Sequence, residues 1–340
     1  MLAALAATVL AAPLPVIGLH LGAPAKANVE KFCDFITKDL KPMGVNLLVL
    51  EVDYDFQFKS HPEMGDKGDM SAADAKKIAS TCKAAGIELV PQTNLLGHQS
   101  WAETNGRLLA KHPEFDETPG KYKGNKDIYC RSYCPNHPGV HQFVFDLVDE
   151  IADAFDAKAF HVGLDEVFIL GDKDCKRCAG KSTASLFAQE VNALHDHFKS
   201  KGRRMYMWGD RFLDGRANGL GEWEAATNGT ESAVDMVPKD IVICDWHYEK
   251  AEPTAAFFAY KGFDVLSCPW RKADVAKGQV AFMRSLLAAN KSIAAHAKGV
   301  LATTWTGAEG FIDALHGKDG NKATKESAET FRAMVESANR

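Results

Sequence analysis

The sequence predicts an α/β fold: a single (β/α)8 (TIM) barrel with long loops after strands three and four. Three observations carry that prediction. Eight short apolar runs rich in Val, Ile and Leu recur along the 340 residues without strict alternation, as parallel strands buried on both faces require. A segment of helical periodicity follows each run. No G-x-G-x-x-G or Walker-type loop opens any of those segments, which leaves the doubly wound open sheet as the weaker alternative.

In chain order, the first run is Val16–Leu21, followed by a helix over Asn28–Lys41. That helix sets Val29, Phe32, Phe35 and Ile36 on one face and stops at Pro42 and Gly44, residues that cannot continue it. After the second run, Val45–Val52, Ser71 is placed to cap a helix over Ala72–Ala85 that Gly86 ends. The third run is Ile87–Thr93, and the connection after it, from about Leu95 to Pro138, is the longest in the chain. In a barrel it lies on the catalytic face, at the C-terminal ends of the strands, and a connection that long is usually functional. A helix over Val140–Phe155 leads to the run Ala159–Leu164, and Thr183–Lys199 leads to Arg204–Trp208. A weaker helix is expected around Glu222–Ala233 before Ile241–Trp246. Pro253–Tyr260, Phe263–Ser267, Ala276–Ala295, Val300–Trp305 and Lys325–Ser337 complete the alternation. The expected organisation is residues 1–14 as an apolar lead-in or degenerate signal segment and 15–340 as the barrel.

Composition narrows the function. Charged residues make up 25% and apolar residues 46%, with a net charge of −5. There is no basic excess to hold a phosphate backbone, so no nucleic-acid partner is expected. There is enough apolar content to build a core, which excludes an acidic disordered chain. Met1–Ala25 is uncharged. Leu2–Ala12 resembles the apolar part of a signal peptide but lacks its basic start. Pro13, Pro15, Gly18, Gly22 and Pro24 argue against a stable membrane span. A secreted or envelope location follows if that segment is a signal, and a cytoplasmic one if it leads into the first strand.

The polar residues concentrate at strand ends. Strand two ends in Glu51, Asp53, Tyr54 and Asp55, and strand three in Gln92, Asn94 and His98 with Trp101 close by. Strand four ends in Asp165 and Glu166, strand five in Trp208 and Asp210, and strand six in Asp245, Trp246, His247 and Tyr248. Strand seven ends in Trp270 and Arg271, and strand eight in Trp305, with Glu309 following. One Trp at a strand end is unremarkable, because Trp is large and often partly buried. Five of the six Trp at such positions, beside carboxylates, fit a carbohydrate: an aromatic face packs on a sugar ring and carboxylates accept hydrogen bonds from its hydroxyls.

The sharpest motif is Phe160-His161-Val162-Gly163-Leu164-Asp165-Glu166-Val167. Two adjacent carboxylates where a buried strand leaves the sheet need an explanation, because burying charge is costly. Crowded like charges favour a protonated carboxyl, and glycoside hydrolysis needs such an acid for the leaving oxygen.

Here the sequence resembles the catalytic domain of glycoside hydrolase family 20, the β-N-acetylhexosaminidases. His161–Glu166 matches that family's His-x-Gly-Gly-Asp-Glu except at Leu164. Leu96-Gly97-His98 resembles its Pro-Gly-His, and Cys134-Pro135-Asn136-His137-Pro138 its Pro- and Asn-containing segment before helix three. Trp208, Trp246 and Trp305 fall where the family places Trp around the sugar. The resemblance implies a retaining exo-β-N-acetylhexosaminidase removing terminal GlcNAc or GalNAc by substrate-assisted catalysis, with no cofactor required. It implies Glu166 as general acid and base and Asp165 as the group orienting the acetamido N–H. His98, His161, Trp208, Asp210, Trp246, Tyr248, Trp305 and Glu309 are then the expected substrate-binding set.

Three departures from the family pattern stand out. Ile17-Gly18 occupies the place of a strand-one Arg-Gly whose Arg grips sugar hydroxyls. Ser267-Cys268-Pro269-Trp270 lacks the strand-seven Tyr, for which Tyr248 is the substitute. The strand-eight Trp-x-Glu becomes Trp305 and Glu309. A barrel glycosidase using two enzyme carboxylates, with Asp210, Asp245 or Glu309 as the second, remains an alternative. So does a non-catalytic sugar-binding barrel.

Cys130, Cys134, Cys175 and Cys178 lie in the loops after strands three and four. They fit a structural zinc site, with Lys176 and Arg177 offsetting thiolate charge, or two disulfides, or free thiols. Cys33, Cys82, Cys244 and Cys268 read as ordinary buried residues. Asn228-Gly-Thr230 and Asn290-Lys-Ser292 match the glycosylation sequon, a pattern common by chance.

Overall fold

A computed structural model describes residues 13–318 and 320–340. The apolar segment Leu2–Ala12 lies outside the described residues.

Eight strands carry the fold: β1 (Val16–Gly22), β2 (Leu47–Glu51), β3 (Glu88–Leu95), β4 (Ala159–Gly163), β5 (Arg204–Trp208), β6 (Val242–Trp246), β7 (Asp264–Cys268) and β8 (Ala297–Ala302). Each pairs in parallel with the next in sequence and β8 pairs with β1, which closes a barrel. Leu47, Val49, Val90, Ala159, Val242, Cys244, Leu266 and Leu301 fill its interior. The alternate residues Leu19, Leu48, Leu50, Phe160, Val162, Ile243 and Val265 point outward into the second core beneath the helices. Burial on both faces explains why these strands read as continuous apolar runs.

Besides two short helical turns in loops, Arg107–Lys111 and Gly215–Asn218, the helices are α1 (Val29–Phe35), α2 (Ala72–Ala85), α3 (Val140–Ala154), α4 (Thr183–Ser200), α5 (Thr254–Tyr260), α6 (Ala273–Leu287), α7 (Lys291–His296), α8 (Ala308–Leu315) and α9 (Lys322–Ala338). Ser71 closes a capping box with Asp74 on α2, and Gly86 ends α2 in the left-handed conformation, as the sequence predicts.

Four expectations differ in detail. The first helix passes into a π-turn over Ile36–Leu40, where Pro42 has no N–H with which to extend the α-ladder. The helix expected over Ala276–Ala295 divides, because the Asn290 side chain accepts the N–H groups of Ser292 and Ile293 and starts α7. Strand eight ends at Ala302, with Thr303 and Thr304 turned to Pro269 and His20 instead. The weak helix around Glu222–Ala233 is a loop with one short 3-10 turn at Glu231–Asp235. The guanidinium of the buried Arg211 takes the carbonyls of Glu222, Trp223 and Ala225 at 2.7, 3.1 and 2.7 Å. It satisfies acceptors that a helix would otherwise use internally.

The long connection after β3 is ordered by Arg131. Its buried guanidinium donates to Asn125 and Asp116 side chains, each at 2.6 Å, and to the carbonyls of Lys121 and Tyr122 at 2.7 and 2.8 Å. No helix among the described residues is long and apolar enough to cross a membrane.

Candidate active site

The strand ends open into a cavity of about 560 Å³, within the range of small-molecule sites. Its floor and walls carry Trp246, Trp270 and Trp305, and its rim Trp101, Tyr129 and Trp223. Trp101 and Trp223 are 65% and 47% exposed, so their rings remain available to a ligand. Tyr129 packs edge-on against both, with centroid separations of 5.5 and 5.0 Å. Carboxylates of Glu51, Asp165, Glu166, Glu224 and Glu249 share the lining. Arg271 is the one Arg or Lys among the described lining residues.

The backbone that delivers the acid pair is unusual. Gly163, Leu164 and Glu166 all have positive φ, at 68°, 69° and 49°. A Cβ on Gly163 would lie 2.7 Å from Asn94 Oδ1 and 3.0 Å from Asn94 Cα, so both the dihedral and the neighbour require glycine there. The β3–β4 register shifts between Gln92 and Leu95, a bulge that aims Asn94 at the site. Asn94 donates to Glu51 Oε1 at 2.7 Å. Leu164 holds the left-handed position where the family motif has a second Gly; strained backbone of this kind costs about 1–2 kcal/mol and clusters at functional sites.

His98 Nε2 lies 3.3 Å from Asp165 Oδ2 and 3.3 Å from Glu166 Oε2, ion-pair distances without hydrogen-bond alignment. Burial would lower the His98 pKa, but Asp165 and Glu166 raise it well above the ordinary value. The two carboxylates thereby hold His98 toward its protonated form. Asp165 Oδ1 is buried and has no hydrogen-bond partner among the described residues. Tyr248 lines the cavity beside Trp246, the rings stacked at 4.9 Å, and its oxygen accepts the Trp305 indole N–H at 2.8 Å.

Several predicted site residues sit elsewhere. His161 and Trp208 are fully buried below the lining. They pack at 4.5 Å, and Trp208 packs on Trp305 at 5.6 Å, so they support the floor. Burial lowers the His161 pKa well below its ordinary value. Asp210 does not line the cavity; it accepts the Glu166 N–H at 2.9 Å, Arg211 Nε at 2.6 Å and the Trp246 indole at 3.3 Å. Burial, against the Arg211 charge, lifts its pKa to about 6. Glu309 is absent from the lining too, because it caps the loop before α1 by accepting from Ala25 N at 3.0 Å and Asn28 at 2.8 Å.

Others were missed as site residues. Trp223 and Glu224 belong to the loop expected to be helical. Tyr129 lies mid-loop with no local signal. Glu51, Asn94 and Arg271 were visible as strand ends. Strand β1 contributes nothing to the lining: Gly18 packs against Leu301, where a Cβ would meet Cδ1 at 2.8 Å, and Ile17 joins the outer core.

The cysteines divide differently from the expectation. Among the described residues all are free. Cys134, Cys175 and Cys178 gather with Glu117, four ligand atoms within 4.8 Å of one another and all buried. Cys130 stands apart, its thiol 3.6 Å from the Glu166 carbonyl. The Asn228 side-chain amide donates to the Val167 carbonyl at 2.8 Å, a structural role for that sequon residue.

A sequence model of the glycosyl hydrolase family 20 catalytic domain matches residues 53–307. The β-hexosaminidase of Vibrio furnissii is 26% identical over 228 residues, 65% of this chain and 32% of that protein. The lacto-N-biosidase of Bifidobacterium bifidum is 23% identical over 195 residues, 53% of this chain and 16% of that protein. The chain thus spans a third or less of these curated relatives. Among solved structures, the Flavobacterium johnsoniae chitobiase is similar in fold, with a TM-score of 0.66 and 18% identity over 96% of this chain and 51% of that one. Dispersin B superposes with a TM-score of 0.56 at 17% identity, over 96% of this chain and 100% of that one.

Proposed function

The chain belongs to glycosyl hydrolase family 20, and from that premise we propose that it is a retaining exo-β-N-acetylhexosaminidase acting on terminal GlcNAc or GalNAc. The observation that carries the proposal is the acid pair in the cavity: Asp165 with a buried, unpartnered Oδ1, and Glu166 beside it, both facing His98.

In the proposed reaction the substrate's acetamido oxygen attacks C1 as the glycosidic C–O bond breaks, and protonated Glu166 gives its proton to the leaving oxygen. The products of this step are an oxazolinium ion and the released aglycone. Asp165 accepts the acetamido N–H and offsets the positive charge that develops there. Water then attacks C1 from the opposite face, Glu166 takes its proton, and the ring opens with net retention. No enzyme nucleophile is needed, as in the substrate-assisted exception to the two-carboxylate scheme. Tyr248 is the proposed donor to the acetamido oxygen: it lines the cavity, and the Trp305 N–H that donates to its oxygen fixes the position of the hydroxyl. Arg271 supplies the cation missing from strand one, and the exposed rings of Trp101 and Trp223 take the aglycone.

Asp210, Asp245 and Glu309, the groups expected as a second enzyme carboxylate, lie outside the lining, whereas Glu51, Glu224 and Glu249 share it. Turnover of aryl β-N-acetylglucosaminides and galactosaminides tests the proposal. The product should appear first as the β-anomer, and Glu166→Gln should lose about 10²–10⁴-fold in kcat on substrates with poor leaving groups. Sugar binding without turnover by the wild-type chain would overturn it.

A further inference from the structure

We propose that Cys134, Cys175, Cys178 and Glu117 bind a structural zinc ion that joins the loop after β3 to the loop after β4. The cluster is not part of the sugar cavity, and none of its members lines it.

The geometry supports a metal over the alternatives. Cys134 Sγ lies 3.7 Å from Cys175 Sγ and 3.5 Å from Cys178 Sγ, and Cys175 Sγ lies 3.3 Å from Glu117 Oε2. A disulfide needs about 2.05 Å between sulfurs, so none of these pairs is bonded. A tetrahedral ion with Zn–S of about 2.3 Å and Zn–O of about 2.1 Å sets edges of roughly 3.6–3.8 Å between ligand atoms. These three spacings need only a few tenths of an ångström of adjustment, and all four ligand atoms lie within 4.8 Å of one another.

The surroundings are built to hold thiolates. The backbone N–H groups of Arg177 and Cys178 both point at the Cys175 sulfur, the turn that a Cys-x-x-Cys makes around a metal. Asn136 Nδ2 donates to Cys178 Sγ at 3.3 Å. Glu117 is oriented from the other side, where its Oε1 accepts the Gly171 N–H at 3.0 Å. N–H donors aimed at the ligands fix their direction and spread their charge. Three sulfurs select a soft or borderline ion, and four protein ligands leave no open position, so the role is structural rather than catalytic.

The site has a clear job in this fold. Glu117 and Cys134 bracket the segment that carries Tyr129, while Cys175 and Cys178 follow the turn that carries Glu166 and Phe168. Tyr129 and Phe168 pack edge-on at 5.8 Å. One ion would thus secure two long loops that together form one side of the rim.

Elemental analysis of the full chain, purified without added metal or chelator, tests this. The expected result is one zinc per chain, retained in Cys130→Ser and lost in Cys178→Ser and Cys175→Ser. Should a Cys variant fail to fold, chelator-stripped wild type serves instead. It should take up one equivalent of added Zn²⁺ with a rise in Tm, and with Co²⁺ should give thiolate-to-cobalt charge-transfer bands of a tetrahedral site. A chain that carries no zinc and takes up none overturns the proposal. So does iron in its place, a disulfide among these residues in the non-reduced protein, or zinc lost from Cys130→Ser.

Discussion

Gly163→Ala tests whether the acid pair depends on the close approach of β3 and β4. The substitution forces an L-residue into φ +68°, which costs about 1–2 kcal/mol. It also places a Cβ 3.0 Å from the Asn94 backbone and 2.7 Å from its side-chain oxygen. Asn94 cannot simply rotate away, because its Nδ2 holds Glu51 at 2.7 Å and its N–H donates to Asp53 at 3.1 Å. The strands must separate by several tenths of an ångström, two residues before Asp165. Displacements of about 1 Å at reacting groups cost on the order of 10²-fold in rate. Gly86→Ala is the matched control: its φ is +77°, nothing lies within 4 Å of the added Cβ, and it ends α2 far from the site. Urea denaturation and steady-state turnover of an aryl β-N-acetylglucosaminide measure both variants. Gly86→Ala should lose about 1 kcal/mol and keep its kcat/KM, whereas Gly163→Ala should lose more stability and about 10–100-fold in kcat/KM. Equal activity in the two variants would refute the reasoning.

Two more expectations can be checked directly. Tyr248→Phe removes the acceptor of the Trp305 N–H and the proposed acetamido contact, so kcat should fall about 10-fold or more; unchanged kcat would exclude Tyr248 from the reaction. His247 is buried between Glu224 Oε2 at 2.8 Å and Asp245 Oδ1 at 3.3 Å. Burial lowers its pKa, but Asp245 and Glu224 together raise it to about 10. A raised His pKa stabilises the fold fully below the unfolded value of about 6.5, and that stabilisation is lost as pH rises through about 10. Wild-type Tm should therefore fall more steeply than that of His247→Gln between those limits, and parallel curves would contradict the assignment.

The architecture was legible because its signals are local. Apolar runs marked the strands within a few residues, and Ser71 and Gly86 marked both ends of α2. The acid pair was legible for the same reason: strand, left-handed turn and carboxylates are contiguous. The loop from Glu222 was not, because Arg211 takes its carbonyls and no helical spacing reveals that partner. Trp223 and Glu224 reach the cavity only as a result. Glu309 misled because position after a strand does not fix direction, and here the residue caps the β1–α1 loop.

By itself, the sequence determined the barrel and set Asp165 and Glu166 side by side at the end of its fourth strand, since periodicity and adjacency are properties of the chain. Only the tertiary structure decided which strand-end residues line the cavity. Trp208, His161 and Asp210 turned out to be supports. Glu117, rather than Cys130, completes the thiol cluster. Those outcomes depend on which loops pack together, and that is set by contacts between residues far apart in sequence.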